Sequence, residues 1–343
     1  MTAGTMKAVL LDRPGPIEGG PLRVAEVPAP EPGPGQILVR VEACGVCRSN
    51  LHMIEGDWQQ RGVPAKLPII PGHEVVGTVV ALGEGVASPA MGTRVGIQPL
   101  WSTCMRCEWC LSGREQLCPQ KKITGESVDG GYAEMMVATA AHAYEVPEAL
   151  DSAEAAPLFC PGLTAYGAVE AAEVRPTSSV AVFGVGGVGH MVVEIAALYG
   201  GEVVAVSRSP GRLELASSLG ATRTVNSADR DAGEVLRRAG GVDAAIVFAP
   251  SDVVLKEAVE AVKPGGRIVL GVFADPGVFP FAEGKSLIGT VIGSRRQMDE
   301  VLELARAGRI KPVVETAPLE KAETMLRMLK DGRMRGRAVL TTG

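Results

Sequence analysis

The sequence predicts an α/β protein of two domains, one built on a doubly wound parallel sheet and the other mainly β. The chain has 343 residues, which is enough for two domains of ordinary size. Its second half alternates short runs of β-branched residues with helical patterns, as in a parallel sheet covered by helices on both faces. Its first half consists of short alternating stretches interrupted by proline and glycine, which is typical of β-structure with loops.

The parallel sheet is predicted from a strand–helix alternation between residues 153 and 292. A helix start at Asp151–Ala156, where a capping side chain precedes good helix formers, opens this region. The predicted strands are Val180–Phe183, Glu202–Val206, Ala244–Phe248, Arg267–Val272 and Leu287–Ile292. The predicted helices are His190–Tyr199, Arg212–Leu219 and Val253–Val262.

The mainly β domain is predicted at residues 1–152, completed by a returning C-terminal segment at 293–343. Strands are predicted at Gln36–Val41 and Val75–Val80, and the run Ala29–Gly35 connects to the first of them because proline removes donors and fixes φ. The C-terminal elements are a helix at about Gln297–Ala307 and strand-like stretches at Lys311–Val314 and Arg337–Leu340.

The overall composition is that of a globular protein. Hydrophobic residues make up 46% of the chain and charged residues 21%. The net charge of -5 gives no electrostatic reason to expect a nucleic acid or an anionic membrane as a partner. Residues 1–11 lack the pattern of a signal peptide, and no apolar run reaches the ~20 residues that span a bilayer. A cytoplasmic protein is therefore expected.

A glycine-rich turn predicts a dinucleotide site and a Rossmann-type sheet. The motif G-x-G-x-x-G follows a predicted buried strand and opens a helix, which is the context that gives it meaning. Its residues are Gly184, Val185, Gly186, Gly187, Val188 and Gly189. In such turns the first glycine allows the tight turn, the second lets the backbone approach the pyrophosphate, and the third lets helix and strand pack closely.

The end of the second strand of this unit predicts NADP(H) rather than NAD(H). NAD-binding units usually place a carboxylate here, which accepts from the adenosine ribose 2′-hydroxyl. This chain instead has Ser207, Arg208 and Ser209, with Arg212 one turn further on. These side chains can donate to a 2′-phosphate, and the guanidinium matches phosphate geometry. The alternative is that Arg208 is a solvated residue stacking on adenine.

Four closely spaced cysteines predict a structural zinc site in a lobe at about residues 100–120. They are Cys104, Cys107, Cys110 and Cys118. Four thiolates complete the tetrahedral shell of a structural zinc and leave no open position for a substrate. The spacing differs from the C-x2-C-x2-C-x3-C-P run of bacterial iron–sulfur proteins.

Three further segments hold the remaining candidate ligands, and they carry a resemblance to a known family. They are residues 47–52, residues 72–74 and residues 160–164. They resemble the metal-ligand segments of the zinc-dependent medium-chain alcohol dehydrogenases. The four-cysteine loop lies between the second and third segments and the glycine-rich turn follows the third, in that family's order. The resemblance covers essentially the whole chain and implies a GroES-like fold for the mainly β domain, which would be the catalytic domain.

The resemblance implies that Cys47, His73 and Cys160 hold a catalytic zinc and leave its fourth position to water or substrate. Glu74 would lie near the metal. Cys44 is interpreted as a small buried hydrophobe rather than a ligand.

The resemblance also assigns residues to proton transfer and to the cofactor. The alcohol proton would leave through Ser49, the nicotinamide ribose and then His52. The implied cofactor contacts are Arg48 and Arg337 at the pyrophosphate, and Thr164, Gly271 and Val272 at the nicotinamide.

Three positions bear on the zinc ligand and the substrate. The family usually has aspartate where this chain has Asn50, so the expected charge behind the ligand histidine is missing, and a weaker or more electrophilic catalytic zinc is expected. Trp58 resembles a residue that walls the substrate pocket. Pro99 stands where several relatives have a second pocket tryptophan, which suggests room for longer or branched substrates.

The sequence thus predicts a zinc-dependent alcohol dehydrogenase or aldehyde reductase with two zinc ions per chain and a small-molecule alcohol, aldehyde or ketone as substrate. One alternative is a polyol or sugar-alcohol dehydrogenase. Another is a non-catalytic zinc–thiolate redox sensor or scaffold, suggested by Cys44 beside Cys47 and by the missing aspartate. The apolar strand Leu287–Ile292 can pair across a twofold axis, so a homodimer or homotetramer is expected.

Overall fold

The computed structural model describes residues 4–343, so residues 1–3 of the first predicted domain lie outside the described residues. The chain forms two compact units. The first consists of Met1–Cys160 and Ser294–Gly343, and the second of Pro161–Gly293. The sequence puts the first boundary after residue 152, but residues 153–160 belong to the first unit. The predicted helix start is real, but this short helix and the turn after it contact the central sheet of the first unit.

The first unit is built mainly from strands. From residue 4 to residue 160 they are β1 (Thr5–Leu11), β2 (Leu22–Pro28), β3 (Gln36–Gly45), β4 (Val75–Leu82), β5 (Arg94–Ile97), β6 (Leu100–Ser102), β7 (Lys122–Ile123), β8 (Met135–Thr139) and β9 (Ala143–Glu145). The helices of this stretch are α1 (Arg48–Glu55), α2 (Glu108–Leu111) and α3 (Ser152–Ala155).

The second unit alternates helices and strands. Its helices are α4 (Pro161–Ala171), α5 (Gly189–Leu198), α6 (Pro210–Ser218), α7 (Ala232–Arg238) and α8 (Asp252–Ala261). Its strands are β10 (Ser179–Phe183), β11 (Glu202–Ser207), β12 (Arg223–Asn226), β13 (Val242–Val247), β14 (Val262–Leu270) and β15 (Ser286–Gly289). The chain then returns to the first unit with α9 (Arg295–Arg306), β16 (Val314–Pro318), α10 (Ala322–Lys330) and β17 (Arg337–Thr341).

The central sheet of the first unit has seven strands in the order β16-β17-β3-β4-β5-β9, with β8 also paired to β3. All its pairs are antiparallel except β16 with β17. Inward-facing residues of β3 such as Ile37, Val39 and Val41 are fully buried, whereas Arg40 on the other face is exposed. This alternation is what an antiparallel sheet with one covered face requires.

The six strands of the second unit are all parallel, in the order β12-β11-β10-β13-β14-β15. Numbered within the unit, this is the 3-2-1-4-5-6 order of the Rossmann fold. The strands β10, β11 and β13 are almost entirely buried because helices cover both faces of such a sheet. Their carboxyl ends lie at one edge, where sheets of this kind bind ligands.

The sequence identified the main strands of the second unit, and several elements differ from the prediction. The edge strand β12 and the helix α7 were not predicted, and neither was α10. The predicted strand Leu287–Ile292 ends at Gly289, and the strand predicted from Lys311 begins at Val314. Within the described residues no helix is long and apolar enough to cross a membrane.

Candidate active site

Four buried side chains of the first unit converge on one point. The ligand atoms of Cys47, His73, Glu74 and Cys160 all lie within 4.8 Å of one another. The two cysteine sulfurs are 3.9 Å apart. Three of the four are the residues predicted to hold a catalytic zinc, and the cluster does not include Cys44, whose thiol donates to the Gly45 carbonyl.

The fold brings these side chains together from three places in the chain. Cys47 follows the end of β3 and caps the N-terminus of α1. His73 and Glu74 come directly before β4, the neighbour of β3 in the sheet. Cys160 ends the turn that follows α3. A side chain at Gly72 would strike the Tyr132 ring and the Cys44 sulfur, so glycine is required just before the histidine.

The donor set fits a zinc ion. Two thiolates and an imidazole with one free position are the ligands of an open catalytic zinc site, and two sulfurs each ~2.3 Å from a tetrahedral zinc lie ~3.8 Å apart. The thiol of Cys160 donates to the Cys47 sulfur and, together with Arg337 and His73, holds the pKa of Cys47 well below its usual value. Cys47 is therefore already inclined to the thiolate form that binds metal.

Glu74 faces the cluster but is paired with Arg337. The guanidinium Nε of Arg337 donates to Glu74 Oε2 at 3.0 Å, and a second nitrogen donates to Oε1. Both side chains are buried, at 0% and 3% exposure. Arg337 is the predicted pyrophosphate partner, and its guanidinium is bound to this carboxylate; its contact with a pyrophosphate stays a prediction.

Behind His73 lies Asn50, and its amide oxygen does not face the histidine. The Asn50 oxygen accepts from the Cys47 backbone N–H and the Tyr132 hydroxyl, each at 3.4 Å. Its NH2 group lies 3.4 Å from His73 Nδ1. Since a backbone N–H can only donate, the oxygen is held away from the histidine. A histidine that binds metal through Nε2 carries its proton on Nδ1 and needs an acceptor there, which Asn50 does not present.

Replacing Asn50 with aspartate is expected to tighten zinc binding at Cys47, His73 and Cys160 by about tenfold to a hundredfold. One carboxylate oxygen can accept from the Cys47 N–H and the Tyr132 hydroxyl while the other accepts from His73 Nδ1. Competition with a metal chelator measures this affinity, and kcat follows the catalytic consequence. An unchanged zinc affinity in Asn50→Asp would contradict the assignment of Asn50 as the group behind the ligand histidine.

The residues predicted for proton transfer extend outward from the cluster. Ser49 Oγ lies 3.4 Å from His73 Nε2, beside the ligand atoms. His52 lies one turn further along α1 at the partly exposed surface, where its Nδ1 is 2.6 Å from an Asp57 carboxylate oxygen. Trp58 stacks on the His52 ring with centroids 5.4 Å apart. Asp57 was not predicted, although it follows Gly56, which ends the helix in the left-handed conformation.

The four-cysteine loop forms a second cluster in the first unit. The sulfur atoms of Cys104, Cys107, Cys110 and Cys118 lie within 4.8 Å of one another. The sulfurs of Cys104 and Cys107 are 3.9 and 3.6 Å from that of Cys110, again close to the separation that a shared zinc imposes. Backbone N–H groups of Arg106 and Cys107 lower the pKa of Cys104 to about 6, which favours its thiolate.

The glycine-rich turn of the second unit has the expected form. Gly184 directly follows β10 and has a φ of 97°, a conformation that favours glycine. A Cβ at Gly189 would lie 1.9 Å from the Gly184 carbonyl, so this glycine allows α5 to approach the strand. A Cβ at Gly186 would meet nothing within 4 Å, which leaves this backbone open to a ligand. Gly187 and Val188 lie between them, just before α5.

The other predicted cofactor residues of this unit lie near the same edge of the sheet. Ser207 ends β11, Arg208 is exposed, and Ser209 caps α6 with its N–H bonded to Ser207 Oγ at 3.2 Å. Gly271 and Val272 follow β14. Two more predicted residues lie on helices: Arg212 is partly buried in α6 and Thr164 is buried in α4.

Two predicted residues of the first unit remain. Arg48 is exposed as the first residue of α1, next to Cys47. Pro99 is buried, and its carbonyl accepts from the Thr124 N–H at 2.8 Å.

Comparison with known proteins gives the family. Residues 33–148 match the model of the alcohol dehydrogenase GroES-like domain, and residues 187–307 match that of the zinc-binding dehydrogenase domain. An alcohol dehydrogenase of Geobacillus stearothermophilus is 41% identical over 327 residues, covering 93% of this chain and 96% of the relative. The chain belongs to the zinc-containing medium-chain alcohol dehydrogenases.

Solved structures agree with this membership in the dehydrogenase family. An NAD-dependent alcohol dehydrogenase has a TM-score of 0.90 and 33% identity, covering 98% of this chain and 100% of that one. A cobalt- and zinc-bound thermostable alcohol dehydrogenase from Pyrobaculum aerophilum has the same TM-score of 0.90 at 28% identity, and the match covers 99% of this chain and 100% of that one. The prediction of a Rossmann-type unit with a GroES-like mainly β unit is confirmed.

Proposed function

We propose that this dehydrogenase transfers hydride between NADP(H) and the carbinol or carbonyl carbon of a small primary or secondary alcohol, aldehyde or ketone. One observation carries the proposal, namely the buried cluster of two cysteines and one histidine at zinc-like spacing. The second unit supplies the open glycine turn at the carboxyl edge of a Rossmann-ordered sheet. We propose a catalytic ion held by Cys47, His73 and Cys160, and a structural ion held by Cys104, Cys107, Cys110 and Cys118.

The chemistry divides between the bound groups and the chain. A zinc ion held by Cys47, His73 and Cys160 would supply the polarisation of the substrate oxygen, and a bound nicotinamide would supply the hydride chemistry. Side chains of the protein must accept the proton of the alcohol. In this proposal Ser49, whose Oγ lies beside the cluster, receives the proton, and the partly exposed His52 releases it to water. The Asp57 carboxylate orients the His52 ring through Nδ1. In aldehyde reduction the same groups deliver a proton inward.

The preference for NADP(H) over NAD(H) is the finer part of the proposal. It is supported by the absence of any acidic residue from 207 to 213, the stretch that ends β11 and begins α6. Serine hydroxyls and the exposed Arg208 stand there instead. We further propose cytoplasmic aldehyde reduction. A homodimer or homotetramer that pairs at β15 is also proposed, supported by the exposure of Leu287 and Val291 around that edge strand.

The direct test is NADPH oxidation with a panel of aldehydes, together with metal analysis. Turnover with two zinc ions per chain supports the proposal. Two zinc ions without turnover of any aldehyde or alcohol would support the non-catalytic alternative instead.

Arg208→Gln is expected to lower kcat/KM for NADPH by about tenfold to a hundredfold, since a hydrogen bond to a charged group contributes ~1.5–3 kcal/mol. The kcat/KM for NADH should stay unchanged, because NADH lacks the 2′-phosphate. Arg223→Gln is the matched control, since Arg223 is an exposed arginine that pairs with Glu202 at the opposite end of β11. Equal kcat/KM for NADPH and NADH in the wild type would refute the preference.

A further inference from the structure

Glu126 carries a carboxylate near the metal cluster and has no role in the proposed reaction. It lies in the turn between β7 and β8 and is only partly exposed. Among residues 4–343 no group donates a hydrogen bond to its carboxylate, and burial raises its pKa to about 7. A partly buried carboxylate without a donor is energetically costly, so a donor that reached it would be held firmly.

The backbone of this turn is fixed against segments that surround the cluster. Thr124 donates to the carbonyls of Pro99 and Gln98, at 2.8 and 2.9 Å. The Glu126 carbonyl accepts from the Ala65 N–H at 2.9 Å. A Cβ on Gly125 would lie 2.7 Å from the Gly72 nitrogen. Position 126 is therefore held next to the segment that leads into His73.

The carboxylate also lies within electrostatic reach of the cluster. The charges of His73 and Cys47 both act on Glu126, the first favouring its ionised form and the second opposing it. The segment that contacts Glu126 through Ala65 begins at Trp58, the predicted pocket wall, and the segment that contacts Thr124 contains Pro99. The turn that carries Glu126 is thus bonded to the segments that contain Ala65 and Pro99, and its carboxylate lies close enough to the metal site for the charges of Cys47 and His73 to act on it.

We infer that Glu126 selects substrates carrying a hydrogen-bond donor, a hydroxyl or an ammonium group, away from the carbon that reacts. This inference rests on the proposed function and names its substrate class. A purely apolar chain entering the site would leave the carboxylate without a partner, whereas a donor on the chain satisfies it. Among the longer or branched substrates that Pro99 suggests, those with a polar group fit Glu126, as in the polyol alternative.

The test compares three four-carbon probes: n-butanol, the matching terminal diol and the matching terminal amino alcohol. Relative to n-butanol, Glu126→Leu is expected to lower kcat/KM for the diol and for the amino alcohol by about tenfold or more. Glu126→Gln should keep most of the preference for the diol, because an amide oxygen still accepts, and lose that for the ammonium. The dissociation constant of the amino alcohol from the NADPH complex, measured by calorimetry, should rise in both variants.

The control is Glu84→Gln, which changes an exposed carboxylate in the loop after β4. It should leave the kcat/KM values for the diol and for the amino alcohol, each divided by that for n-butanol, as they are in the wild type. If n-butanol is oxidised and the kcat/KM ratios of diol to n-butanol and of amino alcohol to n-butanol are the same in wild type and Glu126→Leu, the inference is overturned and the proposed function stands. If the zinc-loaded wild type oxidises none of the three probes and reduces none of their aldehydes, the proposed function fails and the inference with it.

Discussion

Cys47→Ser is expected to abolish alcohol oxidation and to halve the zinc content, from two ions per chain to one. Cys47 is the member of the cluster whose pKa is lowered, and it contacts Cys160 while capping α1. A metal ion that polarises the substrate oxygen lowers the activation barrier by several kcal/mol, and each ~1.36 kcal/mol corresponds to a tenfold change in rate. The loss in kcat should therefore be at least about a thousandfold. The rate of NADPH formation measures the loss of kcat, and metal analysis measures the loss of zinc.

The matched control is Cys44→Ser, three residues earlier. Cys44 is equally buried, but its sulfur lies outside both clusters. This variant should retain both zinc ions. If Cys47→Ser kept two zinc ions and wild-type kcat, the assignment of the catalytic ligands would be wrong.

Arg337→Met is expected to destabilise the first unit by about 3–5 kcal/mol, which corresponds to a fall in Tm of roughly 10 °C for a unit of this size. The methionine removes the guanidinium that pairs with Glu74 and leaves a buried carboxylate near the Cys47 sulfur. Because burial already raises the pKa of Glu74, the variant should take up a proton at this site. Thermal unfolding followed by calorimetry measures the change.

The double variant Glu74→Gln with Arg337→Met separates charge from packing. It has no unpaired buried carboxylate, so it should be more stable than Arg337→Met alone. A Tm of Arg337→Met equal to that of the wild type would show that the ion pair contributes nothing, and the account of Arg337 given above would fail.

The sequence was most informative where the chemistry needs particular residues at particular spacings. The glycine turn was recognised because tight turns and close helix approach exclude side chains, which the structure shows at Gly184 and Gly189. The two thiolate clusters were recognised from ligand type, and for Cys47 and Cys160 from their resemblance to a family. Buried strands were found because a sheet covered on both faces needs continuous apolar runs.

The sequence was least informative where a side chain has two plausible partners. Arg337 matches a phosphate as well as a carboxylate, and only the register of β17 beside β3 brings it to Glu74. The orientation of the Asn50 amide depends on the Cys47 N–H and on Tyr132, which is far away in sequence. Glu126 carries no motif, and its place near His73 depends on hydrogen bonds to two other loops. The polar edge strand β12 was missed because only Val225 among its residues is buried.

The last strand has a consequence for how the protein is made. β17 lies between β16 and β3, the Val46 N–H bonds to the Ala338 carbonyl, and Arg337 holds Glu74. Residues 161–293 form a contiguous unit, so their sheet can assemble while the ribosome is still adding the C-terminal fifty residues. The central sheet of the first unit stays incomplete until synthesis reaches residue 341. Loading of the catalytic metal is therefore expected to follow synthesis of β17, and a nascent chain stalled before residue 337 would lack the finished site.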